Sequence, residues 1–125
     1  YFRDFAYCDS GMLPWLLIAA LLGRTGATLA ELAAARMAAY PCSGEINRKV
    51  EDSAAVLAAI EAEYAPGGQV DKLDGLSIDY AEWRFNVRVS NTEPVMRLNV
   101  ETRGDKKLLA EKTAELLELI GGEEA

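Results

Sequence analysis

Two neighbouring stretches of strict alternation constrain this chain most. Along residues 83–89, Trp83, Phe85, Val87 and Val89 fall on one side of an extended backbone and Arg84, Asn86 and Arg88 on the other. Along residues 95–102, Met96, Leu98 and Val100 alternate with Arg97, Asn99 and Glu101 in the same way. A helical period would scatter these apolar side chains around the axis, whereas a strand gathers them on one face. Two such strands joined by a short polar segment predict an antiparallel pair with one buried and one polar face.

The surrounding pattern builds a layer around that pair. Residues 45–50 read as a short strand, and Asp52-Ser53 opens a helix with Val56, Leu57, Ile60 and Tyr64 on one face. Gly67-Gly68 turns the chain, and residues 69–73 and 76–80 flank Asp74-Gly75, the signature of a two-residue hairpin. Asp105 caps a last helix that points Leu109, Leu116 and Ile120 inward and stops at Gly121-Gly122. The predicted fold class is α+β: a β-α-β4-α layer, with a four- to five-stranded, mainly antiparallel sheet covered on one face by two helices.

Residues 1–40 follow a different pattern. Residues 1–7 are aromatic-rich and read as a strand or strand end. Asp9-Ser10 predicts the cap of a helix that tolerates Pro14 in its first turn, ends near Gly23 and carries Leu13, Leu16, Leu17, Ala20 and Leu21 as an apolar stripe. Thr28-Leu29-Ala30-Glu31 has capping-box spacing and opens a second helix running to about Ala39, before Pro41. The resulting helical hairpin has more apolar surface than two helices bury between them. Tyr40-Pro41-Cys42-Ser43-Gly44 reads as a linker, so the expected division is residues 1–40 and 41–125. With Tyr1 in place of an initiator methionine and no signal-like region, the chain reads as a piece of a longer protein.

Composition narrows the chemistry. The net charge is −7, with 20 acidic against 13 basic residues, which disfavours nucleic acid as a partner because phosphate neutralisation needs a basic face. With no histidine, Ser-His-Asp and Cys-His catalysis and the usual His-containing zinc sites are excluded within these residues. Cys8 and Cys42 lack CxxC spacing and a local base, and read as reduced intracellular thiols. The longest apolar stretch, residues 12–22, is too short to span a bilayer.

What remains is anion chemistry. Arg88-Val89-Ser90-Asn91-Thr92-Glu93-Pro94 sets a guanidinium, two hydroxyls and an amide within one short connection. A phosphate monoester takes such a set: a planar fork for two oxygens, short hydroxyl donors and inward-turned N–H groups. By strand parity Arg84, Arg88 and Arg97 share the uncovered face with Asn86 and Asn99. The plain alternative is a polar β-turn beside a solvated face whose arginines make ordinary cross-strand pairs, such as Arg97 with a neighbouring acid.

The segment Arg84-Phe85-Asn86-Val87-Arg88-Val89-Ser90-Asn91-Thr92-Glu93-Pro94-Val95 also resembles the phosphate-binding loop of the α-D-phosphohexomutases, the phosphomannomutase/phosphoglucomutase group. That family carries Arg-x-Ser-Asn-Thr-Glu/Thr-Pro after a Trp-containing strand, and each position is matched here. The Asp74-Gly75 turn and the Glu45-Ile46-Asn47 strand resemble the family's fourth domain, and residues 1–40 the tail of its sugar-binding third domain. The resemblance implies a TATA-box-binding-protein-like layer for residues 41–125. It also implies a cytoplasmic, monomeric parent whose four domains surround one cleft and interconvert hexose 1-phosphate and 6-phosphate. There a phosphoserine donates the phosphoryl group, a magnesium ion in another domain supports the transfer, and the fourth domain clamps the non-reacting phosphate and closes the cleft.

Carried over by position, the resemblance makes Arg88 the bidentate phosphate partner, Ser90 and Thr92 hydroxyl donors and Asn91 an amide or backbone donor. Glu93 braces the loop or a neighbouring arginine, and Pro94 fixes the exit. A basic residue that many relatives carry on the next strand is Asn99 here, and Arg97, two residues earlier, replaces its charge. The phosphoserine and magnesium loops are absent, so the resemblance implies no catalytic residue, metal ligand or cofactor in this piece and no activity from it alone. Its partners are then a phosphosugar and the other three domains of the parent. Two readings from other classes stay open: a metabolite-sensing module, and an interaction domain that dimerises through residues 11–39.

Overall fold

The computed structural model describes residues 1–90 and 95–125. The chain divides into two compact units, Tyr1–Arg36 and Met37–Ala125.

The first unit opens with a tight loop instead of the expected strand. Arg3–Phe5 forms a 3-10 turn, and the Phe2 carbonyl accepts from the N–H groups of both Phe5 and Tyr7. Ala6 and Tyr7 take left-handed φ of 52° and 56°, which returns the chain so that Phe2 bridges Cys8. Helix α1 (Met12–Thr25) starts without the predicted Asp9-Ser10 cap: Gly11 holds the N-cap position, with no side-chain bond. The helix passes through Gly23 and is closed by Gly26 at φ 69°. Helix α2 (Leu29–Ala39) begins at the predicted capping box, where Glu31 N–H donates to Thr28 Oγ1 at 3.2 Å and Thr28 N–H donates to Glu31 Oε2 at 2.8 Å. These bonds from Thr28 hold the Glu31 carboxyl below the usual carboxylate range. The two helices meet at a bend of 101°, a corner rather than an antiparallel hairpin. Neither helix has a buried residue, and among the described residues no single helix is long and apolar enough to cross a membrane.

The second unit is the anticipated α+β layer. Strands β1 (Ile46–Lys49), β2 (Gln69–Asp71), β3 (Leu76–Asp79), β4 (Trp83–Val89), β5 (Met96–Thr102) and β6 (Glu123–Glu124) form one antiparallel sheet in the order β2-β3-β4-β5-β1-β6. Helices α3 (Ser53–Tyr64) and α4 (Lys106–Ile120) begin at Asp52 and Asp105, whose carboxylates accept from the first-turn N–H groups as their sequence positions predict. The alternation resolves as read: Phe85, Val87, Met96, Leu98 and Val100 are buried with Ile60 and Tyr64 of α3 and Leu116 and Ile120 of α4.

Three details of the sheet depart from the sequence reading. The sixth strand follows from Gly121 and Gly122, whose positive φ turns the chain back so that Lys49 opposes Glu123 and Arg48 opposes Glu124. The Asp74-Gly75 turn is not a two-residue hairpin, because Asp71 pairs with Ser77 and Val70 with Ile78. A two-residue turn would shift the register by one and bring Asp71 round to the face of buried Ile78. The longer loop keeps Val70 opposite Ile78, with Val70 itself still exposed at this sheet edge, and Asp71 Oδ1 accepts from Leu73 N–H at 2.7 Å. Lastly, the expected linker lies zipped along β5: Thr102 N–H donates to Pro41 O, Ser43 N–H to Val100 O, and Val100 N–H to Ser43 Oγ.

Candidate functional site

Strand parity places the candidate residues. Reading across the uncovered face, Asp79 opposes Arg84 and Arg84 opposes Glu101; next, Ser77 opposes Asn86 and Asn86 opposes Asn99; last, Arg88 opposes Arg97 and Arg97 opposes Asn47. The final row sets two guanidinium side chains side by side at the end of the sheet where β4 leaves for the connection to β5. There Ser90 N–H donates to Val95 O at 2.9 Å, fixing both ends of that connection beside the arginine row. Asn91 and Thr92, the other expected phosphate donors, lie outside the described residues, as do Glu93 and Pro94. The structure thus brings together Arg88, Ser90 and Arg97, and puts Asn99 one row away. Asn47, a neighbour the sequence did not single out, completes the row. Its Oδ1 is buried without a hydrogen-bond partner among the described residues.

Two further elements shape this corner. The β2–β3 loop passes so close that a Cβ at Gly75 (φ +74°) would lie 2.5 Å from Val87 O and 2.8 Å from Arg88 Cα. Only glycine fits that approach and that dihedral together, so Gly75 sets the backbone position of Arg88. The second element is Glu45, whose Oε2 stands 3.4 Å from Arg88 Nη2 and whose Oε1 stands 3.7 Å from Arg97 Nε. Glu45 stands two residues before Asn47, on the same face by alternation, and follows a β-bulge. Cys42 opposes Glu101 and Ile46 opposes Leu98, so residues 43, 44 and 45 span the length of 99 and 100. Gly44, at φ 73°, absorbs the kink. The strand expected from residue 45 begins at Ile46, and the Ser43-Gly44 pair before it is the sequence sign of a bulge.

The other end of the face is electrostatically closed. Arg84 Nε lies 2.8 Å from Asp79 Oδ1, and Glu101 opposes it on the far side. Of the three arginines grouped by parity, Arg84 therefore makes the ordinary cross-strand pair of the plain reading. Arg88 and Arg97 carry two positive charges against one carboxylate among the described groups nearby.

Residues 45–119 match the phosphoglucomutase/phosphomannomutase C-terminal domain, and residues 1–40 match alpha/beta/alpha domain III of the same family. The chain belongs to the phosphoglucomutase/phosphomannomutase family. It is 58% identical over 121 residues to a phosphomannomutase of Salmonella montevideo and, equally, to one of Escherichia coli, covering 96% of this chain and 26% of each relative. A protein named for phosphohexose mutases in Xanthomonas campestris pv. campestris strain B100 is 55% identical over 123 residues, which is 98% of this chain and 28% of that one. A solved phosphoglucomutase/phosphomannomutase family structure from Burkholderia thailandensis aligns with 66% of this chain and 19% of its own at 22% identity and a TM-score of 0.49. The chain thus spans about a quarter of the length of its curated relatives, and holds parts of two of the family's domains.

Proposed function

We propose that the second unit is the phosphate clamp of a phosphohexomutase that interconverts hexose 1-phosphate and 6-phosphate through a phosphoserine enzyme and a bisphosphorylated sugar. One observation carries the reading: Arg88 and Arg97 lie directly opposite each other on the uncovered sheet face, beside the anchored start of the Ser90–Pro94 connection. A guanidinium fork takes two phosphate oxygens, and the Ser90 and Thr92 hydroxyls and the Asn91 amide serve the others. Because each end of the bisphosphate must occupy the clamp in turn, the clamp reads the phosphate and little of the sugar. Energy from this remote contact orients the reacting end and drives closure of the cleft.

Residues 1–40 belong, in this reading, to the tail of the sugar-binding third domain, and the remaining domains of a cytoplasmic, monomeric parent supply the serine. The described residues gather no group of three or more Cys, Asp and Glu side chains suited to a metal ion. A magnesium ion supporting the transfer would be held by another domain of the parent. The chain by itself binds and does not catalyse.

A residue-resolved NMR titration tests this. Glucose 1-phosphate should shift the amides of residues 88–92 and Arg97, mannose 6-phosphate should do so similarly, and glucose should not. Arg88→Ala should remove the response while spectral dispersion is retained, since each charge-assisted bond is worth about 1.5–3 kcal/mol. An unchanged affinity in folded Arg88→Ala overturns the clamp. A strong preference for one sugar phosphate would favour a metabolite sensor.

A further inference from the structure

We propose that the Glu45 carboxylate is a resident competitor for the clamped phosphate, holding Arg88 and Arg97 together in the ligand-free site and yielding their donors when a phosphate monoester arrives. The proposal rests on the clamp reading above. Three observations lead to it.

The first is the like-charge pair. Arg88 and Arg97 oppose each other on adjacent antiparallel strands, an arrangement that repels unless an anion sits between the two. Glu45 supplies that anion with one oxygen toward each guanidinium, at 3.4 Å and 3.7 Å. It occupies donors that a phosphate would use. The second is the length of these contacts. A charge-assisted bond at its optimum spans roughly 2.7–2.9 Å, and on the same sheet face Arg84 achieves 2.8 Å with Asp79. Glu45 makes neither of its contacts at that length, and the three side chains keep 40% (Glu45), 34% (Arg88) and 23% (Arg97) of their exposure. Loose, solvated ion pairs of this kind are individually weak, so the carboxylate restrains the arginines without locking them. The third is its mounting. Alternation from Asn47, which opposes Arg97, puts Glu45 on this face, and the Ser43 bonds to Val100 fix the backbone of the bulge that precedes it.

The exchange has a direction. A phosphate monoester dianion brings two charges and three terminal oxygens against the single charge and two oxygens of Glu45, so it wins both guanidiniums. A ligand carboxylate brings nothing that Glu45 does not already provide. Glu45 thus sets a threshold that admits phosphate esters and turns away the carboxylates common among metabolites. When displaced, its own charge faces the incoming anion, which lowers phosphate affinity and favours release.

Titrating the 125-residue chain and its Glu45→Gln variant with inorganic phosphate, glucose 1-phosphate and acetate, followed by amide shifts at Arg88 and Arg97, tests the idea. Glutamine keeps the size and removes the charge. Glu45→Gln should bind both phosphates about fivefold more tightly, and the gap between phosphate and acetate should narrow. Glu45→Asp, charged but one methylene shorter, should fall between the two. Phosphate binding that is unchanged or weaker in Glu45→Gln, with the parent chain binding normally, overturns the competitor and makes Glu45 a brace for the arginines. Should Glu45→Gln fail to fold, Glu45→Asp decides: tighter binding than the parent chain supports competition, and equal or weaker binding overturns it. No phosphate response in any form removes the clamp reading and the competitor with it.

Discussion

The two ends of strand β4 carry the same residue on the same face, and neighbours alone give those residues opposite characters. Arg84 sits between Asp79 at 2.8 Å and the opposed Glu101, so its charge is spent within the sheet. Arg88 sits beside Arg97, with the loosely held Glu45 between them. Their backings differ as well. Beneath the Arg84 end, Trp83 stacks on Tyr80 at 4.7 Å, Tyr64 meets Trp83 and Phe85 edge-on, and the Tyr80 hydroxyl donates to the Tyr64 carbonyl. At the Arg88 end the core residues are Val87 and Met96, and the backbone is steered by the glycine at position 75. Under the proposed clamp, the arginine offered to a ligand is the one whose carboxylate contact is long and whose backbone is positioned from outside its own strand.

That contrast can be broken most forcefully at Gly75. Gly75→Ala places a Cβ against Val87 O and Arg88 Cα in a left-handed dihedral, and should cost about 1–3 kcal/mol in denaturant unfolding. In the folded fraction, phosphate-ester binding should weaken while the Arg84–Asp79 contact survives. Equal disturbance of both ends would show that they are not independent.

A smaller effect should appear in alkali. Burial, with the neighbouring Glu115 carboxylate, pushes the Tyr64 hydroxyl up from 10.0 to about 12. Because the folded state holds this proton more tightly, the contribution is fully present below pH 10 and is lost as pH rises toward about 12. Burial also raises Tyr80, so the Arg84 end contains both tyrosines. Across that window tyrosinate absorbance should rise together with shifts at Trp83 and Phe85, while Arg88 and Arg97 hold still. Tyr64→Phe should flatten the loss of stability.

The smallest effect expected is at Arg84 itself. It lies four residues from Arg88, roughly 13 Å along a strand and beyond a Debye length of about 8 Å at physiological salt. Arg84→Ala should therefore leave phosphate affinity within about twofold, as titration would show. A loss comparable to that of Arg88→Ala would erase the distinction between the two ends.

How far these features could be read from sequence follows from the range over which each is decided. Alternation in residues 83–102 gave both strands, their buried faces and the arginine row, because a period of two leaves little freedom once Phe85, Val87, Leu98 and Val100 are apolar. The Thr28–Glu31 box and the Asp52 and Asp105 caps were equally local and equally legible. The register of β2 against β3 was not, since the Asp74-Gly75 signal competes with the pairing of Val70 opposite Ile78, and only the assembled sheet decides. Nor was the neutrality of Arg84, which depends on Asp79 being its cross-strand neighbour. Glu45 was hidden for the same reason: its contacts are with residues some forty or more positions away, and only the pairing of β1 with β5 brings them together.

The sheet's two margins have a consequence for life at high concentration. An unpaired strand edge invites the edge of another chain, and proteins commonly blunt it with charge or brevity. Here one margin is β2, whose three residues end in Asp71, and the other is β6, a pair of glutamates laid over β1. Two copies meeting at β6 would press acid against acid, on a chain already at −7. Short margins, one of them wholly acidic, thus oppose fibre-like stacking of a sheet whose long central strands would otherwise promote it.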